Sequence, residues 1–362
     1  MSDTVKDTAQ GAMLQANNMI TNAANPNSEA PTSGPLVDRL GRVHTSLRVS
    51  VTDRCNIRCF YCMPAENVVF RPREELLTFE EIERFVRIGV SLGIRELRLT
   101  GGEPLVRSDL PVLVERLAAI AGVADLALTT NGILLTEQAA ALKAAGLQRL
   151  NVSLDALSEE TFQKISRRTG LQRVVDGLFA ARQAGFENIR LNAVAIRGLT
   201  EQEIVPLAEF AREHGFELRF IEFMPLDADN HWEREQVFTC DEIRQMLEAA
   251  FCPLVPSQRT DLSQPAVDFH FADGRGAIGF INPVSHPFCS DCNRLRLTAE
   301  GQVRNCLFST VEWDARELMR GGGSDDELRT LLRDCVWNKQ PAHGVGEADF
   351  VKPARAMYQI GG

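Results

Sequence analysis

The sequence predicts an α/β fold built on a parallel sheet, and three features carry that prediction. Short β-rich runs alternate with helical patterns between Leu47 and Phe223. Glycines at Gly93, Gly146, Gly185 and Gly215 each close a helical stretch just before the next strand, as a left-handed cap requires. Polar residues collect at the C-terminal ends of the strand runs, the edge where parallel α/β sheets and barrels bind ligands.

Taken in order, strands are expected near Leu47–Thr52, Glu96–Thr100, Asp125–Thr130, Arg149–Leu154, Ile189–Ile196 and Glu217–Phe223. Helices are expected near Thr78–Leu92, Asp109–Ala121, Thr136–Ala145, Ser158–Ala184 in two pieces, and Gln202–His214. The polar strand ends are Thr52-Asp53, Thr100 to Glu103, Thr129 to Asn131, Ser153 to Asp155, Asn192, and Glu222 to Met224. An open doubly wound sheet and a partial barrel differ little in such local sequence, so both remain. After Pro225 the pattern changes to an acidic loop, a helix near Asp241–Ala250, and a proline-rich stretch. Val267–Phe271 and Ala277–Ile281 flank Asp273-Gly274 as a hairpin. A boundary near residue 230 therefore separates a domain over 37–230 from one over 231–362, and 1–36, rich in Asn, Ser and Pro, reads as a flexible tail.

With 362 residues, 44% hydrophobic and 24% charged, the chain is neither collagen-like, wholly disordered nor membrane-embedded. No stretch reaches the roughly 18 apolar residues of a membrane helix. The formal net charge of −10 argues against a nucleic-acid partner, because phosphate neutralisation needs a basic surface. The N-terminus is polar and has no apolar segment followed by a cleavage site, so a cytoplasmic location with reduced thiols is expected.

In such a compartment grouped cysteines point to metal or catalysis. Cys55, Cys59 and Cys62 form C-x3-C-x2-C directly after the first strand. Three thiolates would leave one iron of a cubane cluster open to an outside ligand, whereas a zinc site would need a distant fourth donor. Cys289, Cys292 and Cys306 form a second triplet, C-x2-C-x13-C, for which zinc completed by Cys252, His286 or Cys240 stays a live alternative. Cys240, Cys252 and Cys335 otherwise read as small buried hydrophobes. The six histidines lack HxxxH or HxH spacing, and there is neither a P-loop nor a G-x-S-x-G elbow.

The run Val51-Thr52-Asp53-Arg54-Cys55-Asn56-Ile57-Arg58-Cys59-Phe60-Tyr61-Cys62-Met63-Pro64 resembles the cluster motif of radical S-adenosylmethionine enzymes. Within them, the second triplet, the intervening Asn293-Arg294-Leu295-Arg296-Leu297-Thr298 and the terminal Gly361-Gly362 are similar to the GTP 3',8-cyclase family of molybdenum cofactor biosynthesis. The resemblance runs from about Leu40 to Gly362. It implies an incomplete (β/α)6 TIM-like barrel whose open side is closed by a C-terminal auxiliary-cluster region. It also implies two 4Fe-4S clusters, on Cys55, Cys59 and Cys62 and on Cys289, Cys292 and Cys306.

On the same resemblance, Tyr61, Gly102, Ser153 and Met224 contact S-adenosylmethionine, and Arg48, Arg98, Thr129, Arg190, Arg294 and Arg296 contact GTP. Arg190 departs from the lysine expected there, keeping the charge but not the geometry. Gly361 and Gly362 would enter the active site as a catalytic tail. Read from residue chemistry alone, Ser153 could simply cap a loop, Met224 fill a core gap, and the arginines face solvent. The implied reaction turns GTP into 3',8-cyclo-7,8-dihydro-GTP through a 5'-deoxyadenosyl radical. An external electron donor and a downstream cyclic pyranopterin monophosphate synthase follow as partners, and a homodimer is left open. Two other readings stay beside it: a radical enzyme modifying a peptide with an auxiliary cluster, and a zinc or iron–sulfur scaffold without catalysis.

Overall fold

Strand β1 (Ser46–Ser50) opens a series in which every strand but the last is followed by a helix returning to the same end of the sheet. The further strands are β2 (Glu96–Thr100), β3 (Asp125–Thr130), β4 (Arg149–Ser153), β5 (Ile189–Ala195) and β6 (Glu217–Glu222). Between them lie α1 (Phe79–Ser91), α2 (Leu110–Ala118), α3 (Leu135–Ala144), the pair α4 (Glu159–Ser166) and α5 (Leu171–Gln183), and α6 (Glu201–His214). The architecture comes from a computed structural model, which describes residues 29–361. Helix α1 shows why these segments start where they do. Thr78 accepts from the Glu81 amide while the Glu81 carboxylate accepts from the Thr78 amide, and Ile82, Phe85, Val86 and Gly89 then bury one helical stripe. Gly93, Gly146, Gly185 and Gly215 all have positive φ, as their positions before strands require.

After β6 come α7 (Cys240–Ala250), β7 (Leu254–Pro256), β8 (Val267–Phe271) and β9 (Ala277–Ile281). Then follow β10 (Arg294–Leu297), β11 (Gln302–Arg304), β12 (Trp313–Asp314), α8 (Ala315–Arg320), α9 (Asp325–Trp337) and the short α10 (Met357–Ile360). The expected hairpin is present as antiparallel β8 and β9. The described residues form one sheet in the order β12-β11-β10-β1-β2-β3-β4-β5-β6-β9-β8-β7. β10 pairs parallel with β1, and β9 pairs parallel with β6, so both edges of the six-stranded array are extended by strands from the C-terminal third.

This sheet curls. Arg48 of β1, Thr129 of β3, Asn192 of β5, Ile281 of β9 and Arg296 of β10 all line one cavity. The strand order ends at β12 and β7 without closing, so the result is a partial barrel. The outer face packs Leu47, Leu97, Leu128 and Leu150 beneath Val86, Leu113, Leu142, Leu178, Leu207 and Leu332 of the helices. Alternation does the sorting: in β5 the odd-numbered residues from Ile189 to Ala195 are buried, and Arg190, Asn192 and Val194 take the other face. The tail expected over 1–36 falls largely outside the described residues. Of its remainder, Leu36 is fully buried, and Arg333 donates to the carbonyls of Ser33, Gly34 and Pro35.

Candidate functional site

The loop leaving β1 carries the first triplet. Its shape is set by the Cys59 carbonyl, which accepts from the Cys62 and Met63 amides at 2.9 Å each, and by Arg58, whose guanidinium donates to the carbonyls of Cys55 (2.7 Å) and Ile57 (2.9 Å). The Arg58 and Phe60 amides donate to Ser166 and Ile165, tying the loop to the end of α4. All three thiols are unpaired and half-buried, and they line the cavity. Burial, with Glu103 nearby, pushes Cys55 up to about 11. Burial, with Asp155 nearby, pushes Cys59 up, and burial raises Cys62 as well. These soft donors sit where a bare thiolate is disfavoured, so iron of a cluster would supply the missing positive charge.

The Gly101-Gly102-Glu103 turn after β2 lies directly on this loop. Gly102 donates to the Thr52 carbonyl and Glu103 to that of Arg54, each at 2.7 Å. A Cβ on Gly101 would stand 2.5 Å from the Thr52 oxygen, and one on Gly102 would overlap the Arg54 carbonyl. Close approach of two backbones therefore requires both glycines. Glu103 is 1% exposed, and its oxygens accept from Thr130 Oγ1, the Asn131 amide and the Leu105 amide. Burial raises it to about 7. Since its oxygens already accept inside the protein, Glu103 braces the turn.

Tyr61 points its hydroxyl at Asp155 Oδ2 (2.6 Å), whose other oxygen accepts from the Val194 amide (2.8 Å). Burial lifts Asp155 to about 6. Tyr61, Gly102, Ser153 and Met224 all line the cavity together with the triplet.

The cavity has a volume of about 260 Å³, and Arg48, Arg98, Thr129, Arg294 and Arg296 line it too. Arg48 stands opposite Arg98 on one side and Arg296 on the other. Burial and the neighbouring guanidiniums depress Arg48 and Arg98, and bring Arg296 down to about 9. A guanidinium nevertheless stays charged at neutral pH. Among the described residues, Arg48 and Arg98 have no carboxylate or hydrogen-bond acceptor in contact. A polyanion is what such a group lacks.

Arg190 is placed differently from its neighbours. It faces the barrel interior at the start of β5, does not line the cavity, and donates through Nε to Glu217 at 2.8 Å. Arg219, which sequence reasoning missed, does line the cavity and shares the same glutamate at 2.7 Å. The alternation Glu217, Arg219, Ile221 along β6 was the signal for it.

The second triplet lies behind Phe288, Arg294 and Leu307 of the cavity wall. Cys289 begins a short 3-10 turn that leads into Cys292, and Cys306 follows β11. Cys292 Sγ accepts from Arg294 (3.2 Å) and from Lys339 Nζ (3.3 Å). Burial opposes ionisation, yet Arg294 and Lys339 bring this thiol down to about 6. Of the fourth donors suggested for zinc, Cys240 is buried at the start of α7 and His286 contacts Ser285. Among the described residues no group of three or more His, Cys, Asp or Glu is arranged around a single metal ion.

The chain end reaches both triplets. Tyr358 packs with Met63 beside Cys55 and Cys62. Ile360 packs with Val284 and Phe308 beside Cys306. Gly361 is buried at φ +81, its carbonyl accepts from Arg296, and a Cβ there would stand 2.5 Å from Thr100 Oγ1. Gly362 lies outside the described residues.

Comparison with known proteins places this arrangement. A Radical SAM superfamily model matches residues 49–211, and a Molybdenum Cofactor Synthesis C model matches 216–345. GTP 3',8-cyclase of Rhodopirellula baltica is 55% identical over 90% of this chain and 92% of its own length. The enzyme of the same name from Mycolicibacterium smegmatis is 47% identical over 92% of this chain and 94% of its own. Among solved structures, Streptococcus suis SuiB bound to S-adenosylmethionine aligns with a TM-score of 0.57 at 16% identity, covering 90% of this chain and 72% of that one, a likeness of fold. With its partial barrel, its two cysteine triplets and relatives this similar over nearly their whole length, the chain belongs to the GTP 3',8-cyclase family of the radical SAM superfamily.

Proposed function

We propose that this chain is a radical S-adenosylmethionine enzyme that converts GTP to 3',8-cyclo-7,8-dihydro-GTP, the first step of molybdenum cofactor biosynthesis. The observation that carries the reading is a single cavity bounded by an open three-thiol set and by arginines, of which Arg48 and Arg98 meet no acceptor among the described residues. Cys55, Cys59 and Cys62 would hold one 4Fe-4S cluster, and Cys289, Cys292 and Cys306 the other. Bound at the first triplet, the cluster would supply the electron that splits S-adenosylmethionine.

The protein's own residues bind and orient. The Gly101-Gly102 backbone, Ser153 and Met224 surround the adenosylmethionine side, with Tyr61 fixed by Asp155. Arg48, Arg98, Arg294 and Arg296 supply the local positive charge that a triphosphate needs in an otherwise acidic chain. Thr129 lies on the same wall, Arg190 and Arg219 share Glu217 deeper in the barrel, and Gly361 closes the site. Holding the two ligands in one geometry converts a bimolecular encounter into an intramolecular one.

The division near residue 230 then separates a barrel unit from the unit that holds the second cluster and the tail. An external electron donor reduces the enzyme, and a cyclic pyranopterin monophosphate synthase takes the product in the cytoplasm. No helix among the described residues is long and apolar enough to cross a membrane. The test is anaerobic reconstitution. About eight irons per chain and formation of 5'-deoxyadenosine that depends on GTP are expected. Cleavage indifferent to GTP would sink the reading in favour of another substrate, and zinc without iron would return the protein to a scaffold.

A further inference from the structure

Lys339 is 5% exposed and lies just past the end of α9. Its ammonium donates to Cys292 Sγ at 3.3 Å and to the Arg294 carbonyl at 3.0 Å, and no carboxylate among the described residues pairs with it. A buried ammonium without a counter-charge is expensive, and here the anionic groups that act on it are two cysteines of the second triplet, Cys292 in contact and Cys306 beyond it.

The placement is built rather than incidental. Arg42, in a buried ion pair with Asp38 at 2.5 Å, donates to the Cys289 carbonyl (2.7 Å), the Gln340 carbonyl (2.8 Å) and the Pro341 carbonyl (3.1 Å). One side chain thus clamps the loop of the second triplet to the segment that carries Lys339. The first triplet has the opposite surroundings. Its side-chain donor to sulfur is the neutral Asn131 amide, 3.8 Å from Cys55, and the largest charges acting on Cys55 and Cys59 are Glu103 and Asp155.

Cluster reduction potential follows net charge, hydrogen bonds to sulfur and exposure. We propose that Lys339 is a positioning residue that holds a positive charge against the Cys292 sulfur and raises the reduction potential of the second cluster above that of the first. The inference rests on the assignment of a cluster to Cys289, Cys292 and Cys306. Reduction adds one electron from an outside reductant, taking that cluster from the 2+ to the 1+ state, with no bond made or broken. The added negative charge is what the ammonium stabilises. An electron entering the doubly loaded protein therefore settles first at the second cluster.

The test uses the full-length chain with Cys55, Cys59 and Cys62 replaced by alanine, so that one cluster reports. It is titrated anaerobically with dithionite and mediators, with reduction read by electron paramagnetic resonance. Lys339→Met is expected to lower the reduced-to-oxidised ratio at fixed potential at least tenfold, about 59 mV for one electron. Lys339→Arg should restore it to within about threefold, since charge is kept. Lys339→Gln is the second neutral variant should the methionine protein load poorly. An unchanged midpoint in a fully loaded neutral variant overturns the proposal. Loss of iron from the methionine, glutamine and arginine variants alike also overturns it, making the lysine a packing residue. Absence of iron from the alanine-triplet parent would instead overturn the cluster assignment itself.

Discussion

Replacing Gly361 with alanine should undock the chain end while leaving the rest of the fold intact. Two costs arise at that position. An L-residue held at φ +81 and ψ 100 lies in sparsely populated backbone space, which costs about 1–3 kcal/mol. The new Cβ would also stand 2.5 Å from Thr100 Oγ1 and 3.2 Å from Ser50 Cβ. The segment can escape both by lifting out of its contacts with Thr100 and Ser50. Taking the backbone term alone, the docked population falls about 5- to 150-fold. Hydrogen exchange of residues 355–361 in the resting protein should report that loss, with the unfolding midpoint unchanged. Cyclised product should fall in parallel, while adenosylmethionine cleavage persists and becomes uncoupled. Thr100→Ala in the same chain should recover part of the docking, because it removes the overlap but not the φ; Thr100 Oγ1 has no hydrogen-bond partner of its own to lose. Unchanged tail protection in Gly361→Ala would refute the strain argument. Lost protection with normal cyclisation would refute the tail's role in the reaction.

Arg98→Met should weaken GTP binding by tenfold or more, yet raise the thermal midpoint of the ligand-free protein, because it deletes a half-buried cation that faces Arg48 in the cavity without a carboxylate. Arg190→Ala should weaken binding less than Arg98→Met, since Glu217 already neutralises Arg190; equal losses by isothermal titration would show that the glutamate does not offset it. His44 is fully buried, and burial together with Lys339 and Arg42 holds it down at about 2. The unfolded chain takes up this proton near pH 6.5 and the folded chain does not, so stability is complete above pH 6.5 and falls as pH drops toward 2. Between pH 6.5 and 5 the loss is about 2 kcal/mol, visible as a lower urea midpoint that His44→Leu should largely flatten; the same slope in both proteins would assign it elsewhere.

The fold was legible where its contacts are local. Alternation and helix-ending glycines place β1 to β6 and their helices to within a few residues, because each unit folds against its immediate neighbours in the chain. What the sequence does not display is that β9 joins β6 and β10 joins β1. Ser46 pairs with Arg294, 248 residues further on, and no local pattern encodes a partner at that distance. The first triplet was readable because its spacing is short and sits at a strand end. Arg219 and Lys339 were not, for different reasons. Arg219 is hidden in a run of hydrophobics whose alternation only matters once β6 is known to be walled on both sides. Lys339 follows a helix end and resembles an ordinary surface lysine until the fold carries it to Cys292.

The charge of −10 and the arginine-lined cavity are two parts of one arrangement. S-adenosylmethionine carries a sulfonium and an ammonium, and GTP carries a polyanionic tail. Near the first triplet the buried groups are the carboxyls Glu103 and Asp155. Around Arg48 they are the guanidiniums Arg98, Arg294 and Arg296. A cavity polarised in this way discriminates against exchanged ligands: a sulfonium beside Arg48 meets like charge, whereas a triphosphate there meets opposite charge. Arg48 and Arg98, which meet no acceptor among the described residues, lower the stability of the ligand-free protein, and that cost is relieved when a polyanion arrives. Because relief of that repulsion tightens GTP binding, a fixed concentration of GTP should stabilise the native chain by more than it stabilises Arg98→Met.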